Sequence, residues 1–287
     1  MDETEQARAA NTRAAWRYFA VTFLVSWLAA FCVAFPWIVH GKRLPDLAGI
    51  LMFPAMLLGP SIVGLAMTFS TGGAAGLRTL GLRLRRWRLG GWFAVLAVPP
   101  ILVYTVLQCL RSFVSPAFAP NLFLLGVFFG IPAGYLEEIG WMGCAFDKLR
   151  ASRTSLRAAV ILGLVWAAWH LPVVDFLGAA HPHGRYWLLF FLAFATAMVA
   201  MRVLISWLYV NTDSLLGAQL LHMSSTGALV VFGAAGADSL QEGIWYGTYA
   251  LALWIAVGVI IHVCGPELVR RQHGSGRGAD ISPHSPA

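Results

Sequence analysis

The sequence predicts an all-α fold, a polytopic transmembrane bundle of about eight helices with the N and C termini cytoplasmic. Three observations carry that prediction. Of 287 residues, 59% are hydrophobic and only 11% charged, about half the charge of an average soluble domain, so the chain lacks the polar surface to face water on all sides. Apolar runs recur along nearly the whole length, each long enough to cross a hydrocarbon core of roughly 30 Å at 1.5 Å per residue. Basic residues fall between these runs and favour one side.

The runs place spans at Ala15 to Val39, Leu47 to Phe69, Trp92 to Leu110, Leu122 to Ala145, Leu156 to Val174, Trp187 to Val210, Ser214 to Phe232 and Ile244 to Cys264. With both termini on one side, that side carries fifteen Lys and Arg residues and the other only four, Lys42, Arg43, Arg111 and Arg185. Positive charge is retained in the cytoplasm, so the termini are expected there and the number of spans is even. Residues 1–14 then form a cytoplasmic N-terminal segment, 15–264 a single membrane-embedded domain, and 265–287, rich in Gly, Ser, Pro, His and Arg, a disordered cytoplasmic tail. The first span is full length and comes after a long polar segment, so it reads as an uncleaved helix. Pro99-Pro100 is placed to kink the third span.

The net charge of +7 could suggest nucleic acid. Its distribution in short loops is explained instead by topology and by anionic lipid, so no nucleic-acid partner is expected. Between Gly76 and Gly91, Arg83, Arg85, Arg86 and Arg88 interleave with Leu84, Trp87 and Leu89. That pattern serves a topology determinant or an interfacial segment on headgroups. The four cysteines, Cys32, Cys109, Cys144 and Cys264, form no CxxC pair and read as small core hydrophobes. Trp16, Trp37, Trp92, Trp187 and Trp245 sit near span ends, as an interfacial belt would. His181, His183, Asp238 and Glu242 fall in external loops and read as ordinary solvated polar groups, and His273 and His284 in the tail are not expected to be ligands. Arginine outnumbers lysine eighteen to two and Ala and Gly abound, a composition of GC-rich bacterial genomes, so the expected location is a bacterial inner membrane.

Ionisable groups at membrane depth are costly, and the few present are functional candidates by default. They are Glu137 and Glu138 in the fourth span, His170 in the fifth, Arg202 in the sixth and His222 in the seventh. Counted from the cytoplasmic end of each span, Glu137, His170, His222 and Arg202 lie at heights of roughly 15, 20, 14 and 14 Å. Four helices thus deliver polar groups to one layer near the bilayer middle. A carboxylate in an apolar setting is a general base near neutral pH, and imidazoles share that work or bind a metal. Glu137, His170 and His222 are therefore candidate ligands for zinc or another divalent metal, or else a base with oxyanion donors. Adjacent glutamates point about 100° apart on a helix, so one does chemistry while the other orients or ion-pairs. The bland alternative is a Glu138–Arg202 salt bridge with histidines bonded to backbone.

At these residues the sequence resembles the CPBP family of CAAX proteases and bacteriocin-processing (Abi) proteins, to which the type II CAAX prenyl endopeptidases belong. The family pattern is Glu-Glu and, after three intervening residues, Arg, then an aromatic with His four residues on, then His with Asn or Asp four residues on. Glu137 and Glu138 stand in Glu-Glu-Ile-Gly-Trp, His170 in Trp-His-Leu-Pro after Trp166, and His222 comes after Ser214-Leu-Leu, so the motif region is 134–227. The resemblance implies an intramembrane endopeptidase acting on a membrane-associated peptide or protein, with Glu137 and His170 activating water. It gives His222 the oxyanion or a metal, and a role in peptide maturation or bacteriocin self-protection. Two positions depart from the pattern. Met142 replaces the motif Arg, and Arg202 is expected to supply the lost partner of Glu138 from the sixth span. Thr226 replaces Asn or Asp and retains one hydroxyl as an auxiliary donor. A catalytically silent scaffold and a transporter using the buried charges are the alternatives.

Overall fold

The computed structural model describes residues 2–42, 45–176, 183–234 and 236–270, and within these every regular element is helical. His181, His273, His284 and the tail beyond Arg270 lie outside the described residues. The helices are α1 (Glu3–Val39), α2 (Asp46–Leu84), α3 (Val98–Phe113), α4 (Val127–Gly140), α5 (Asp147–Arg150), α6 (Ser155–Trp169), α7 (Trp187–Thr212), α8 (Leu215–Phe232) and α9 (Ser239–Cys264). The chain is a multi-pass helical membrane bundle.

Six of the eight expected spans are helices long and apolar enough to cross a membrane. The other two are shorter because a π-helical turn interrupts each just past its acidic or imidazole residue. α4 ends at Gly140, passes through a π turn over Trp141–Phe146 and resumes as α5, while α6 ends at Trp169 and a second π turn spans Pro172–Phe176. A π turn inserts a residue into the helical ladder and rotates the next stretch of chain about the axis, and such turns concentrate at functional sites.

Several local expectations are corrected. α1 is helical from Glu3, so the helix of the first span begins well before Ala15, and Asp2 caps it. α2 breaks at Gly73, whose φ of 56° lies where only glycine is unstrained, separating the span from a short arm that ends at Leu84. Pro99 and Pro100 occupy the first turn of α3 and start that helix instead of kinking it, since their missing N–H groups cost nothing there. Trp245 is 3% exposed and stacked on Tyr249, in the core and not in an interfacial belt. His183 is buried, its Nε2 2.6 Å from Glu242 Oε2 and its ring stacked on Phe190, and Asp238 forms a capping box with Gln241 at the start of α9. These loop residues thus fasten α7 to α9. Cys32 and Cys109 are exposed, whereas Cys144 and Cys264 are buried and pack as expected.

One end of the bundle is zipped by polar contacts. Arg83 bonds Asp147 at 2.5 Å and Asp213 at 3.1 Å, Arg86 bonds Asp213 at 2.6 Å, and Tyr209 donates to Asp147. Thr12 meets Ser152 and Arg153, Ser155 meets Glu267, and Asn211 donates to the Leu268 carbonyl. The segment 265–270, expected as the start of the disordered tail, is therefore packed, with Leu268 fully buried. Both ends of the described chain meet on this face, the face that the charge bias assigns to the cytoplasm.

Close helix approach brings the polar groups together. Gly126, just before α4, and Gly130 and Gly134 within it form a small-residue stripe against α8. A Cβ at Gly130 would clash with the Met223 carbonyl oxygen, and one at Gly134 would lie 2.6 Å from that of Gln219. In a bilayer the drive for helix association is packing and interhelical bonding, so backbones that touch along glycines are its main source. Gln219 adds a bond across the same seam to the Tyr135 carbonyl. Gly130→Ala should lower stability by about 1–3 kcal/mol, the usual cost of overpacking, while Gly72→Ala, whose Cβ meets nothing within 4 Å, should not. Thermal unfolding of both variants in detergent measures the difference.

Candidate active site

Glu137 and Glu138 are both buried at the end of α4, and the helical rotation between them sends each to a different neighbourhood. Glu138 turns toward α7 and α8. Its carboxylate accepts from Arg202 Nη1 at 2.8 Å and 2.7 Å, through both oxygens, and its Oε1 lies 2.7 Å from His222 Nδ1. Glu138 and Arg202 are fully buried and His222 is 1% exposed. Arg202 reaches this place because Gly163 lets α6 and α7 approach closely, a Cβ there standing 3.2 Å from that of Arg202. The guanidinium then lies over the Trp166 ring, 4.2 Å from its centroid, a cation–π contact that holds the charge in an apolar setting.

Met142, where the motif has Arg, is fully buried in the π turn with its sulfur 4.0 Å from Ser206 Oγ on α7. The neutral thioether faces α7 one turn past Arg202, and the cation for Glu138 comes from α7 itself. The expected substitution of partner is thus what the structure holds.

Glu137 turns toward α6. Its Oε2 accepts from the indole N–H of Trp141 at 3.1 Å and of Trp166 at 2.7 Å. Its Oε1 takes no hydrogen bond among the described residues. These two tryptophans were missed as site residues by sequence reasoning, although their positions carry a signal: Trp141 is one turn after Glu137 and Trp166 one turn before His170. Among the aromatics that fit this motif position, Trp166 has an indole N–H to give, which a phenyl ring lacks.

His170 caps the end of α6. Its Nδ1 lies 2.7 Å from the Trp166 carbonyl oxygen. An oxygen of that kind only accepts, so Nδ1 carries a proton, and in the neutral form of the ring it is Nε2 that presents a lone pair. Edge-to-face contacts with Trp166, Trp169 and Phe194 hold the ring upright, and it stands within electrostatic reach of His222 and Arg202. The Trp166 ring touches His222 as well, 5.0 Å between centroids. Glu137, Glu138, His170, Arg202 and His222 therefore form one cluster, with Trp166 at its centre. Thr226 lies one turn from His222 on α8, half-buried, and makes no hydrogen bond among the described residues.

A metal site does not follow from this arrangement. Among the described residues no group of three or more His, Cys, Asp or Glu side chains converges as metal ligands would. The donor set is spent otherwise: Glu138 on Arg202 and His222, and one oxygen of Glu137 on two indoles. The expected ligands Glu137, His170 and His222 share a cluster without forming a coordination shell, and no step of the proposed reaction passes through a metal.

The fold and the cluster define a class: a multi-pass helical membrane protein with a buried glutamate and histidine centre. Known proteins resemble the segment that carries this centre. Residues 119–227, which enclose every residue of the cluster, match the type II CAAX prenyl endopeptidase Rce1-like family. A 113-residue stretch is 30% identical to CAAX prenyl protease 2 of Methanococcus maripaludis, covering 38% of this chain and 39% of that protein. The chain thus aligns with about two-fifths of the length of that relative. Through this segment the chain is similar to the type II CAAX prenyl endopeptidases of the CPBP, or CAAX protease, family.

Removing one member of the buried ion pair exposes its worth. Arg202→Met should destabilise the protein by about 3–5 kcal/mol, because Glu138 is left as an uncompensated buried charge. Adding Glu138→Gln should restore much of that loss. Denaturant titration of the single and double variants reads both effects, and a single variant as stable as wild type would remove the ion pair from the account.

Proposed function

We propose that the chain is an intramembrane endopeptidase that hydrolyses a peptide bond of a membrane-associated peptide or protein, with water activated by Glu137 and His170. The observation that carries this reading is the division of labour between the two glutamates. Glu138 is neutralised by Arg202 and His222, whereas Glu137 is held by two indoles on one oxygen and keeps the other free. A carboxylate fixed in orientation, with an uncommitted oxygen in an apolar pocket, is a general base.

In the proposed reaction, Glu137 Oε1 takes a proton as the oxygen of water bonds to the scissile carbonyl carbon. The Nε2 lone pair of His170 orients that water. The carbonyl π bond opens and an oxyanion forms. His222, its Nδ1 held by Glu138, donates N–H from Nε2 to the oxyanion, and Glu138 orients that ring and stabilises the charge it carries, as a carboxylate does in other base–orienter pairs. Arg202 is a positioning residue acting through Glu138. On collapse the C–N bond breaks, the proton held by Glu137 passes to the departing nitrogen, and a carboxylic acid and an amine result.

An apolar groove of about 300 Å³ supports a membrane-borne substrate. It lies between α3, α4 and α8, lined among others by Pro100, Ile131, Met223 and Gly227. Met223 and Gly227 each adjoin a site residue, His222 and Thr226. Thr226 serves as an auxiliary donor from that wall. Peptide maturation or bacteriocin self-protection in a bacterial inner membrane is the setting consistent with this chemistry.

The test is cleavage of a membrane-peptide library by detergent-purified protein, read by mass spectrometry. Glu137→Gln and His170→Ala should each lower the rate by about 10²–10⁴-fold, the range for a lost general base, at unchanged melting temperature. Trp166→Phe, which removes one charge-assisted hydrogen bond, should lower it by about tenfold or more, and a chelator should leave wild type active. A wild type that cleaves nothing across a broad library, or variants with the wild-type product profile, would overturn the proposal.

A further inference from the structure

Four arginines crowd the stretch from Arg83 to Arg88, yet they are used in two different ways. Arg83 and Arg86 are committed to Asp147 and Asp213 and close the end of the bundle. Arg85 and Arg88 are exposed and have no acidic partner among the described residues; Arg88 lies against the Trp87 ring, 5.4 Å from its centroid.

Arg85, Arg86, Trp87 and Arg88 line a cavity of about 250 Å³ whose far wall is Thr212 and Ser214, at the turn between α7 and α8. The hydroxyls on that wall are spent: Thr212 Oγ1 donates to the Leu208 carbonyl, and Ser214 Oγ donates to the Arg86 carbonyl and accepts from Gly217 N. The free polar groups of the cavity are therefore guanidinium N–H donors, which select an anion and, by their forked geometry, an oxyanion such as phosphate.

The rim says how that anion arrives. Trp87 is 61% exposed, and an exposed indole next to arginines at the end of a membrane bundle belongs at headgroup level. An anion carried on an apolar anchor satisfies both the donors and the rim. We propose that Arg85 and Arg88, with the outer face of Arg86, bind the phosphate of an anionic phospholipid in this cavity. The lipid would then rest on the turn whose Asp213 fastens α7 to the arm of α2.

Native mass spectrometry of the full chain, released from detergent supplemented with equal amounts of phosphatidylglycerol and phosphatidylcholine, tests this. Wild type should retain phosphatidylglycerol preferentially. Arg85→Ala/Arg88→Ala should weaken that retention by about thirtyfold, the value of two arginines near an anionic surface. The charge-matched Arg8→Ala/Arg13→Ala variant, altered on the exposed start of α1, should retain it as wild type does. Both variants keep the Arg83 and Arg86 bridges, and matched melting temperatures verify their fold. Equal retention in all three proteins, equal loss in both variants, or displacement of the lipid by inorganic phosphate at millimolar concentration would each overturn the proposal.

Discussion

A fully buried carboxylate bonded at once to a guanidinium and an imidazole is the interaction on which the rest of this structure depends. Glu138, Arg202 and His222 come from α4, α7 and α8, and none can leave the others without stranding a charge in a low-dielectric interior. Their mutual need fixes the rotation of three helices about their axes and the depth at which they cross. The geometry of the whole cluster is set by that pin. Once Glu138 is turned toward α7 and α8, helical rotation turns Glu137 toward α6, where Trp166 stands between the acid and the two histidines.

Such a pin can form only where helices approach more closely than side chains ordinarily allow. The glycine stripe of α4, Gly163 of α6, and the pair Gly64 and Gly140 between α2 and α4 remove the Cβ atoms that would hold backbones apart. Ser61, donating to the Leu136 carbonyl at 2.5 Å, adds a bond at the same crossing, just before the two glutamates. The π turn after Gly140 lets Trp141 reach back to Glu137 while the chain continues toward Asp147. Packing and polar bonding thus reinforce each other, as they must in a bilayer, where the hydrophobic effect does not distinguish helix from lipid.

The arginines at the charge-rich end divide between holding the bundle and facing outward. Asp213 has φ of 48°, a left-handed conformation that Asp tolerates, and it ends α7 in one tight turn before Ser214 caps α8. Its carboxylate gathers Arg83 and Arg86, so the hairpin that carries Arg202 on one limb and His222 on the other is clamped at its tip. Charge that hydropathy patterns read only as a topology signal has, in part, a second use as the brace beneath the site.

The sequence by itself determined the fold class, six of the membrane-crossing helices, the common side of the termini and the membership of the cluster. Hydrophobic run length, charge bias and helical rise are properties of the chain alone, and ionisable residues at one depth are conspicuous in an apolar sequence. The exchange of Met142 for Arg202 was legible for the same reason, since a buried charge implies its opposite at similar height. Only the tertiary structure decided who bonds to whom. The indole donors of Trp141 and Trp166 were hidden because tryptophan is common in any membrane protein, and the commitment of His183 to Glu242 because loop residues far apart in sequence have no fixed spacing. The π turns, the use of Pro99-Pro100 to start α3 and the burial of Trp245 were hidden too. Rotation about a helix axis depends on what the neighbouring helix presents, and that is known only when the helices are packed.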